Sequence, residues 1–371
     1  MNAHERLLAV LDGRPTDRVP ISTYELCGYN SVAFENRQPS YKNLMDVIRH
    51  DTDCICMWNP ASNEAYGLSS VSVPVDIQTE TGDRFIKTQR TLHTPKKSLT
   101  ATGQVQNTVH TTWQTEHFCK SSEDVDAWLS IPYQPVQYDF SDYARIQGEV
   151  GEHGIIMASL ADPVCIAMEL MEFGEATIWA LTETDHFART IQELHRRTLQ
   201  NLKNMLDAGV VDLYRICGPE YLTPPYLPPV LFERFVVPSV TAMVSLIHAY
   251  GSKVRVHCHG RIGRVLDAIR STGADGIDPC EAPPDGDIEL AEIKRRVGGS
   301  MTIFGNLQLK MLERSSPEEV RAYVRFCMQS AKAGGRYVIM PTAAPINIPL
   351  SAQTEDNYKI FIETALAEGR Y

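Results

Sequence analysis

Short apolar runs alternate with longer amphipathic stretches along most of this 371-residue chain. The apolar runs are typical of buried strands, and apolar spacing of about three to four residues between them indicates helices. Eight runs are predicted to be strands: residues 18–24, 53–58, 154–160, 211–217, 253–259, 276–281, 301–306 and 336–340. Strand–helix alternation predicts a parallel sheet with helical crossovers, and eight repeats predict an α/β fold of the (β/α)8 TIM barrel type.

Amphipathic stretches fill most of the intervals between these runs. Helices are predicted at residues 2–13, 42–50, 163–173, 186–206, 231–250, 262–271, 288–297, 317–333 and 355–368. One boundary is strongly marked, because Ser316 suits an N-cap, Pro317 suits the first turn and Glu319 completes a capping box. Gly334 and Gly335 suit the end of the same helix.

Residues 68–120 break the alternation. Segments 84–89, 105–112 and 113–118 are rich in Thr, Val and aromatic residues, with glycine and proline between them. They predict β-hairpins inserted between the second and third barrel strands, where they would cover one side of the barrel mouth. No linker divides the chain, so residues 1–371 are predicted to form a single barrel domain.

Composition and charge narrow the class of protein. A net charge of −11 argues against nucleic acid as a partner, because phosphate neutralisation needs clustered Lys and Arg. The chain contains no run of about 18 apolar residues, so no membrane span is predicted. The first residues carry no secretory pattern. The nine cysteines lie mostly in apolar segments, which indicates reduced thiols in the cytoplasm. A homo-oligomer is compatible with the sequence.

The fifth predicted strand carries the most informative side chains. Because side chains alternate along a strand, Arg255, His257 and His259 share one face, which we expect to point into the barrel. Two imidazoles on one face can bind a single metal ion, and the alternative is that they are hydrogen-bonded histidines that orient a substrate. Glu220 and Glu281 follow neighbouring strands, and either is a candidate third ligand or general acid or base.

These acids also have structural interpretations. Glu220 could be an ordinary loop carboxylate, and Glu281 could support the dipole of the segment that follows it. Asp278 is predicted to be a structural acceptor at the strand end. Cys54 and Cys56 share one strand face, but no second thiol pair follows them, which favours buried core thiols over a metal site.

Several motifs together resemble the uroporphyrinogen decarboxylase superfamily along most of the chain. They are Glu5-Arg6-Leu7-Leu8-Ala9, Asp17-Arg18-Val19-Pro20, His257-x-His259-Gly260, Gly273-Ala274-Asp275-Gly276, Phe304-Gly305-Asn306 and Gly334-Gly335-Arg336-Tyr337. The resemblance implies a barrel enzyme, of either a decarboxylase or a methyltransferase branch.

The tetrapyrrole decarboxylases of that superfamily open with an arginine-rich Met-Arg-Gln-Ala-Gly-Arg segment that holds substrate carboxylates. Here the matching residues 23–29 read TYELCGY and contain no arginine. The carboxylates of a uroporphyrinogen would meet Glu25 instead, which is an electrostatic mismatch. A metal-independent decarboxylase is therefore the alternative function rather than the leading one.

The other branch consists of corrinoid-dependent methyltransferases, which bind zinc through a His-x-Cys-Gly motif and a later Cys. His257 matches the family His, His259 stands in place of the first Cys, and residues 341–345 lack the later one. The resemblance then implies zinc held by His257, His259 and a carboxylate, with Glu220 preferred over Glu281. Such a site retains Lewis acidity and suits an ether or phenol-type oxygen. It predicts a methyltransferase that uses methoxylated aromatics with a corrinoid protein as partner.

The remaining candidates concern substrate binding. Tyr24, Trp58 and Tyr221 are predicted to line an aromatic pocket, although barrel mouths also hold aromatic residues as packing. Arg255 is predicted to pair with a substrate carboxylate or with Glu220. Two further strand-end residues, Glu25 and Asn306, complete the predicted substrate contacts. A non-catalytic barrel retained for binding is the third alternative, which the convergent His and Glu side chains disfavour.

Overall fold

The structure is a computed structural model that describes residues 1–371. Its strands are β1 (Cys54–Met57), β2 (Ala61–Ser62), β3 (Val75–Thr81), β4 (Phe85–His93), β5 (Ser98–Gln106), β6 (Thr112–Glu116), β7 (Tyr138–Asp139), β8 (Gly154–Ala161), β9 (Leu213–Cys217), β10 (Lys253–His257), β11 (Gly276–Asp278), β12 (Thr302–Leu307) and β13 (Tyr337–Pro341). Its α-helices are α1 (Ala3–Asp12), α2 (Phe34–Arg37), α3 (Lys42–Asp51), α4 (Ser122–Leu129), α5 (Tyr143–Val150), α6 (Pro163–Met168), α7 (Phe173–Thr182), α8 (Thr184–Ala208), α9 (Pro229–Leu231), α10 (Val237–Ala249), α11 (Leu266–Ser271), α12 (Leu290–Val297), α13 (Leu309–Arg314), α14 (Pro317–Ala331) and α15 (Ala352–Glu368).

Seven strands form one parallel sheet in the order β1-β8-β9-β10-β11-β12-β13. At least one helix lies between every consecutive pair, as a parallel sheet requires. Seven of the eight predicted strands are confirmed, with small shifts at their ends. Most predicted helices are confirmed as well, but the segment predicted as one helix over 163–173 ends early, and α7 begins where it was expected to finish.

The prediction of a first strand over residues 18–24 is wrong, because this segment makes only two isolated bridges, between Arg18 and Arg370 and between Ile21 and Ile339. Pro20 lacks an N–H, and Tyr24 turns the chain with a φ of 61°. The segment still touches both edges of the sheet. The Ser22 amide donates to the Ile339 carbonyl at 3.0 Å, and the Asp53 amide donates to the Ile21 carbonyl at 2.7 Å.

A four-stranded antiparallel sheet, β3-β4-β5-β6, lies in the sequence between β1 and β8. The segment 105–112, predicted as a strand, is instead mostly the turn between β5 and β6. This turn reaches the loop that follows β13, since the His110 amide donates to the Ile346 carbonyl at 2.7 Å and the Ile348 amide donates to the Thr108 carbonyl at 2.8 Å. The hairpin tip thus contacts a loop at the carboxyl end of the parallel sheet.

Helix α1 packs against the amino ends of the parallel strands. Asn2 and Glu5 form a capping box at its start, and Gly13 ends it with a φ of 71°. Its apolar face is formed by Leu7, Val10 and Leu11. These side chains pack with apolar residues that point inward from the strands, namely Ile55, Ile155, Met157, Leu213, Phe304, Val338 and Met340. This end of the sheet is therefore closed by a dry apolar cluster.

The other strand faces pack against the helices in a larger apolar cluster, which includes Val254, Val256 and Cys258 of the fifth predicted strand. The helical segment Pro229–Ala249 is long and apolar enough to span a membrane by length and composition alone. In this fold it is the crossover between β9 and β10, and Met243 and Ile247 are buried in the same cluster.

Candidate active site

Polar side chains cluster inside the parallel sheet above the apolar cluster at α1. The ladder register aligns Ser159, Arg215 and Arg255 on β8, β9 and β10. Two residues further toward the carboxyl ends it aligns His257 with Asp278 on β11. Because parallel strands all run the same way, their carboxyl ends bring these groups to one mouth.

His257 is held by a buried carboxylate. Its Nδ1 lies 2.7 Å from Asp278 Oδ2, and both side chains are buried. Burial alone would raise the pKa of Asp278, but Arg255 and His257 outweigh it and lower the pKa to about 2. Since the ionised carboxylate only accepts, Nδ1 of His257 carries the proton of this hydrogen bond.

His259 is the more exposed of the two imidazoles. Its ring lies perpendicular to that of His257, with 4.5 Å between the ring centroids, and its Nδ1 is 3.2 Å from Glu281 Oε1. Burial alone would lower the pKa of His259, but Glu281 outweighs it and the pKa is raised. The other Glu281 oxygen accepts from the Gly260 amide at 2.5 Å, which holds the loop after β10. The helix-dipole interpretation of Glu281 is therefore wrong.

Glu220 follows β9 in a short 3-10 turn, where its Oε2 accepts from the Gly218 amide at 3.1 Å. Asp162 is near Glu220 and fully buried. Burial is the main reason, and repulsion from Glu220 a lesser one, why the pKa of Asp162 is raised to about 8. Glu220 makes no hydrogen bond to either histidine in this structure.

The predicted metal ligands form no complete site in this arrangement. No three His, Cys, Asp or Glu side chains of residues 1–371 converge as they would around a metal ion. Half of the expected pattern is present, because Nδ1 of His257 and Nδ1 of His259 each lie against a carboxylate oxygen, as one ring nitrogen of a metal-binding histidine commonly does. The third ligand is not in place, so the residues fit a zinc ion only in part.

The prediction that Arg255 pairs with a substrate carboxylate or with Glu220 is wrong. Its side chain is 2% exposed, and its Nε lies 2.8 Å from Asp278 Oδ1. The guanidinium also packs over the Phe304 ring, 4.9 Å from the centroid. Asp278 thus acts as the structural acceptor that the sequence predicts, and it holds both Arg255 and His257.

Arg215 was missed by the sequence reasoning, although the alternation that places Arg255 inward also places Arg215 inward on β9. Its Nη2 donates to Glu25 Oε1 at 3.1 Å, and its Nη1 donates to the Tyr24 hydroxyl at 3.3 Å. Longer contacts of 3.4 and 3.5 Å join it to Ser159 Oγ. Glu25 and Tyr24 therefore lie against a charged group that the sequence did not predict as their neighbour.

The predicted aromatic pocket does not form as one unit. Tyr24 lies near His257, with 6.2 Å between ring centroids. Trp58 instead packs in an aromatic cluster with Phe140 and Tyr143. Tyr221 packs near Phe173 and its hydroxyl donates to Glu169 Oε1 at 2.9 Å.

Asn306 is turned away from the mouth. It is fully buried, its amide donates to the Cys280 carbonyl at 2.9 Å, and Cys327 contacts its Oδ1. The cause is Gly305, which has a φ of 148° and lies so close to Pro279 that a Cβ there would clash with the Pro279 carbonyl. The alternation of side chains along β12 therefore breaks at Gly305. The prediction that Asn306 contacts substrate is wrong for this reason.

A model of the uroporphyrinogen decarboxylase family matches residues 112–365. The chain belongs to this family. A curated relative, the methylcobamide:CoM methyltransferase MtaA of Methanosarcina barkeri, is 19% identical over 342 residues, which cover 91% of this chain and 90% of that protein. A solved methyltransferase from Methanosarcina mazei superposes with a TM-score of 0.62 at 15% identity and covers 99% of both chains. The likeness to this solved structure supports the α/β fold with its curled parallel sheet.

Proposed function

We propose that this protein is a methyltransferase that moves a methyl group between a small methylated substrate and a corrinoid protein. The observation that carries the proposal is the pair of carboxylate-bound imidazoles, His257 with Asp278 and His259 with Glu281, at the carboxyl ends of the strands. The curated relative supports it, because its printed name describes methyl transfer from a methylcobamide and it matches this chain over nearly its full length.

The chain's own residues suit the stabilisation of a leaving oxygen. When a methyl group departs from an ether, negative charge develops on the oxygen that it leaves, and preorganised donors stabilise that charge. Asp278 fixes the ring of His257, and Glu281 fixes the ring of His259 at the more exposed position. We assign Glu281 and Glu220 as the catalytic carboxylates, with Glu281 orienting His259 and Glu220 facing the same mouth.

Zinc is the more specific part of the proposal. His257 and His259 would supply two nitrogens, and Glu220 would have to leave the Gly218 amide to supply an oxygen. Such an ion would supply Lewis acidity at the substrate oxygen. Metal analysis of the purified protein tests this part on its own: about one zinc per chain, lost in a His257→Ala and His259→Ala double variant, supports it, and zinc-free active protein contradicts it.

We further propose an aryl methyl ether as substrate, with Tyr24 beside His257 as the aromatic contact. The setting is a single barrel domain over residues 1–371, in which residues 20–22 take the eighth strand position and the hairpins within 68–120 border the mouth. The nine free cysteines fit a reducing cytoplasm.

The test is transfer of methyl groups from a panel of methoxylated aromatics to reduced cobalamin, followed by the absorbance of methylcobalamin. Wild-type protein should catalyse the transfer and His257→Ala should not. Asp46→Asn is the matched control, because Asp46 pairs with Arg49 on the surface. If His257→Ala and wild-type protein are equally active on every donor, the proposed site is wrong.

Decarboxylation is the second candidate, and the inward Arg215 favours it, since guanidinium groups bind carboxylates. Titration of the protein with uroporphyrinogen separates the two candidates. Tight binding with release of carbon dioxide would show that the protein is a decarboxylase rather than a methyltransferase. The absence of binding would rule out decarboxylation of uroporphyrinogen.

A further inference from the structure

The interior of the parallel sheet holds an unequal set of buried charges. Arg215 and Arg255 lie side by side on adjacent strands, at the same register, and both are nearly fully buried. Only one carboxylate, Asp278, is buried with them. Burying a charge without a close partner is costly, so the second carboxylate beside this pair, Glu25, matters for its charge balance.

The contacts of the two arginines differ in a way that identifies where a ligand anion would bind. Arg255 lies 2.8 Å from fully buried Asp278. Arg215 meets its nearest carboxylate, Glu25, at 3.1 Å, and its other hydrogen bonds are 3.3 to 3.5 Å long. Long contacts to neutral hydroxyls stabilise a guanidinium weakly compared with a bidentate carboxylate.

Glu25 is a poor permanent partner for a buried arginine. Its side chain is 43% exposed, whereas that of Arg215 is 9% exposed. It extends from the loop after residue 21, and that loop turns at Tyr24. Water competes for an exposed carboxylate, so a ligand that displaces Glu25 exchanges one weak pair for a better one and lets Glu25 return to solvent.

Two of the residues that contact Arg215 line cavities. Glu25 lines a cavity of about 290 Å³ together with Met57 and Glu35. Ser159 lines a cavity of about 610 Å³ together with Asn59 and Leu160. A ligand in the first cavity would therefore meet Glu25, the carboxylate that now pairs with Arg215.

We propose that Arg215 is a binding site for the carboxylate of the substrate, and that Glu25 occupies this site when no ligand is bound. The ligand class is a small organic carboxylate, because the group that now fills the position is itself a carboxylate. His257 lies two residues beyond the register of Arg215, about 7 Å further toward the mouth. A carboxylate on Arg215 would therefore direct the rest of the substrate toward the histidines. The proposal deepens the proposed function by naming a charge on its substrate.

Calorimetric titration of the full-length protein tests the site without any methyl transfer. The probes are 4-methoxybenzoate and its neutral analogue 4-methoxybenzamide. Wild-type protein should prefer the benzoate. Glu25→Gln should bind the benzoate several-fold more tightly, because its competitor is gone, and should bind the benzamide as before. Arg215→Gln should weaken benzoate binding roughly 10- to 100-fold, the range for a charged hydrogen bond, and abolish the preference.

Arg295→Gln is the matched control, because Arg295 also pairs with a glutamate, Glu292, but on an exposed helix. It should leave both affinities unchanged. Should Arg215→Gln fail to fold, Glu25→Gln still decides the matter, since Glu25 is exposed. Equal affinity for the two probes in wild-type protein, or no gain for the benzoate in Glu25→Gln, would overturn the proposal.

A methyl-transfer assay run beside the titration separates this proposal from the function on which it rests. A preference for the benzoate in a protein that transfers no methyl group would keep the carboxylate site and remove the methyltransferase. Methyl transfer from neutral anisoles as fast as from methoxybenzoates would keep the methyltransferase and remove the carboxylate site.

Discussion

Two arginine–aspartate clusters lie at opposite ends of the parallel sheet, and they are built differently. At the amino end, Arg6 and Arg18 share Asp53, which is fully buried and also accepts from the Ile21 amide at 2.8 Å. Arg6 also pairs with Asp17 at 2.6 Å. Two cations thus meet two carboxylates, in contacts of 2.5 to 2.6 Å.

At the carboxyl end no carboxylate is shared: Arg255 lies 2.8 Å from Asp278, and Arg215 reaches Glu25 at 3.1 Å. Arg255 Nε and Asp278 Oδ1 lie close together, yet neither has a well-aligned hydrogen bond. The difference indicates that the amino-end cluster stabilises the fold, while the carboxyl-end cluster is left incompletely paired where a ligand can complete it. Barrel enzymes divide stability and function between their two ends in the same way.

The largest expected change in stability comes from breaking the amino-end cluster. Asp53→Asn leaves Arg6 and Arg18 without their shared carboxylate, and we expect a loss of about 3–5 kcal/mol in the free energy of unfolding. Urea denaturation measures it. Asp46→Asn, which removes an exposed pairing with Arg49, should cost under about 1 kcal/mol. Similar losses in the two variants would contradict the role given to Asp53.

The next effect concerns chemistry at the carboxyl end. His257→Ala should slow methyl transfer at least about 100-fold, the lower range for a positioned acid or base. Its free energy of unfolding should fall by less than that of Asp53→Asn. Single-turnover rates and urea denaturation of the same preparations check both statements. A variant that loses activity only in proportion to its unfolded fraction would speak against a chemical role.

Asp162 gives a pH-dependent effect. Its pKa is about 8 in the folded protein and near 3.8 when unfolded, so between these values the unfolded state releases a proton that the folded state keeps. Stability then falls as pH rises through this window, by up to about 1.4 kcal/mol per pH unit, and levels off above the folded pKa. Asp162→Asn should keep the helix cap and lose this slope. Parallel slopes for both proteins in urea denaturation from pH 5 to 8 would contradict the raised pKa.

The smallest stability effect sharpens the contrast between the clusters. Arg215→Gln should change the free energy of unfolding by under about 1 kcal/mol, because it removes a weak pair with Glu25 and also relieves repulsion of Arg255. Thermal denaturation beside Asp53→Asn checks this. A loss as large as that of Asp53→Asn would mean that both ends serve stability.

The order of strands and helices was predictable because it depends on local periodicity. Seven strands followed from apolar runs, and the capping box at Ser316 and Glu319 is confirmed. The segment around Pro20 failed as a strand, because pairing depends on neighbours that the sequence does not specify. Strand alternation likewise placed Val254 and Val256 correctly, in the helix-facing cluster.

The site was predictable only in part. The alternation of side chains along the fifth predicted strand identified His257 and His259 as candidates. That Asp278 is the partner of Arg255 depends on the register between β10 and β11, which the sequence does not give. Arg215 obeys the same alternation and was overlooked because no neighbouring motif marked it. The prediction that Asn306 contacts substrate was wrong for a local reason, because the alternation of side chains on which it relied breaks at Gly305.

The most direct test of methyl transfer at the carboxyl end follows the methyl carbon itself. Protein is mixed with a methoxybenzoate labelled with ¹³C in the methoxy group and with reduced cobalamin, and the label is located by NMR. We predict that wild-type protein moves the label to cobalt, leaving the free phenol, and that His257→Ala leaves it on oxygen. A label that stays on oxygen with wild-type protein, or that moves equally well with His257→Ala, would contradict the assignment of this site.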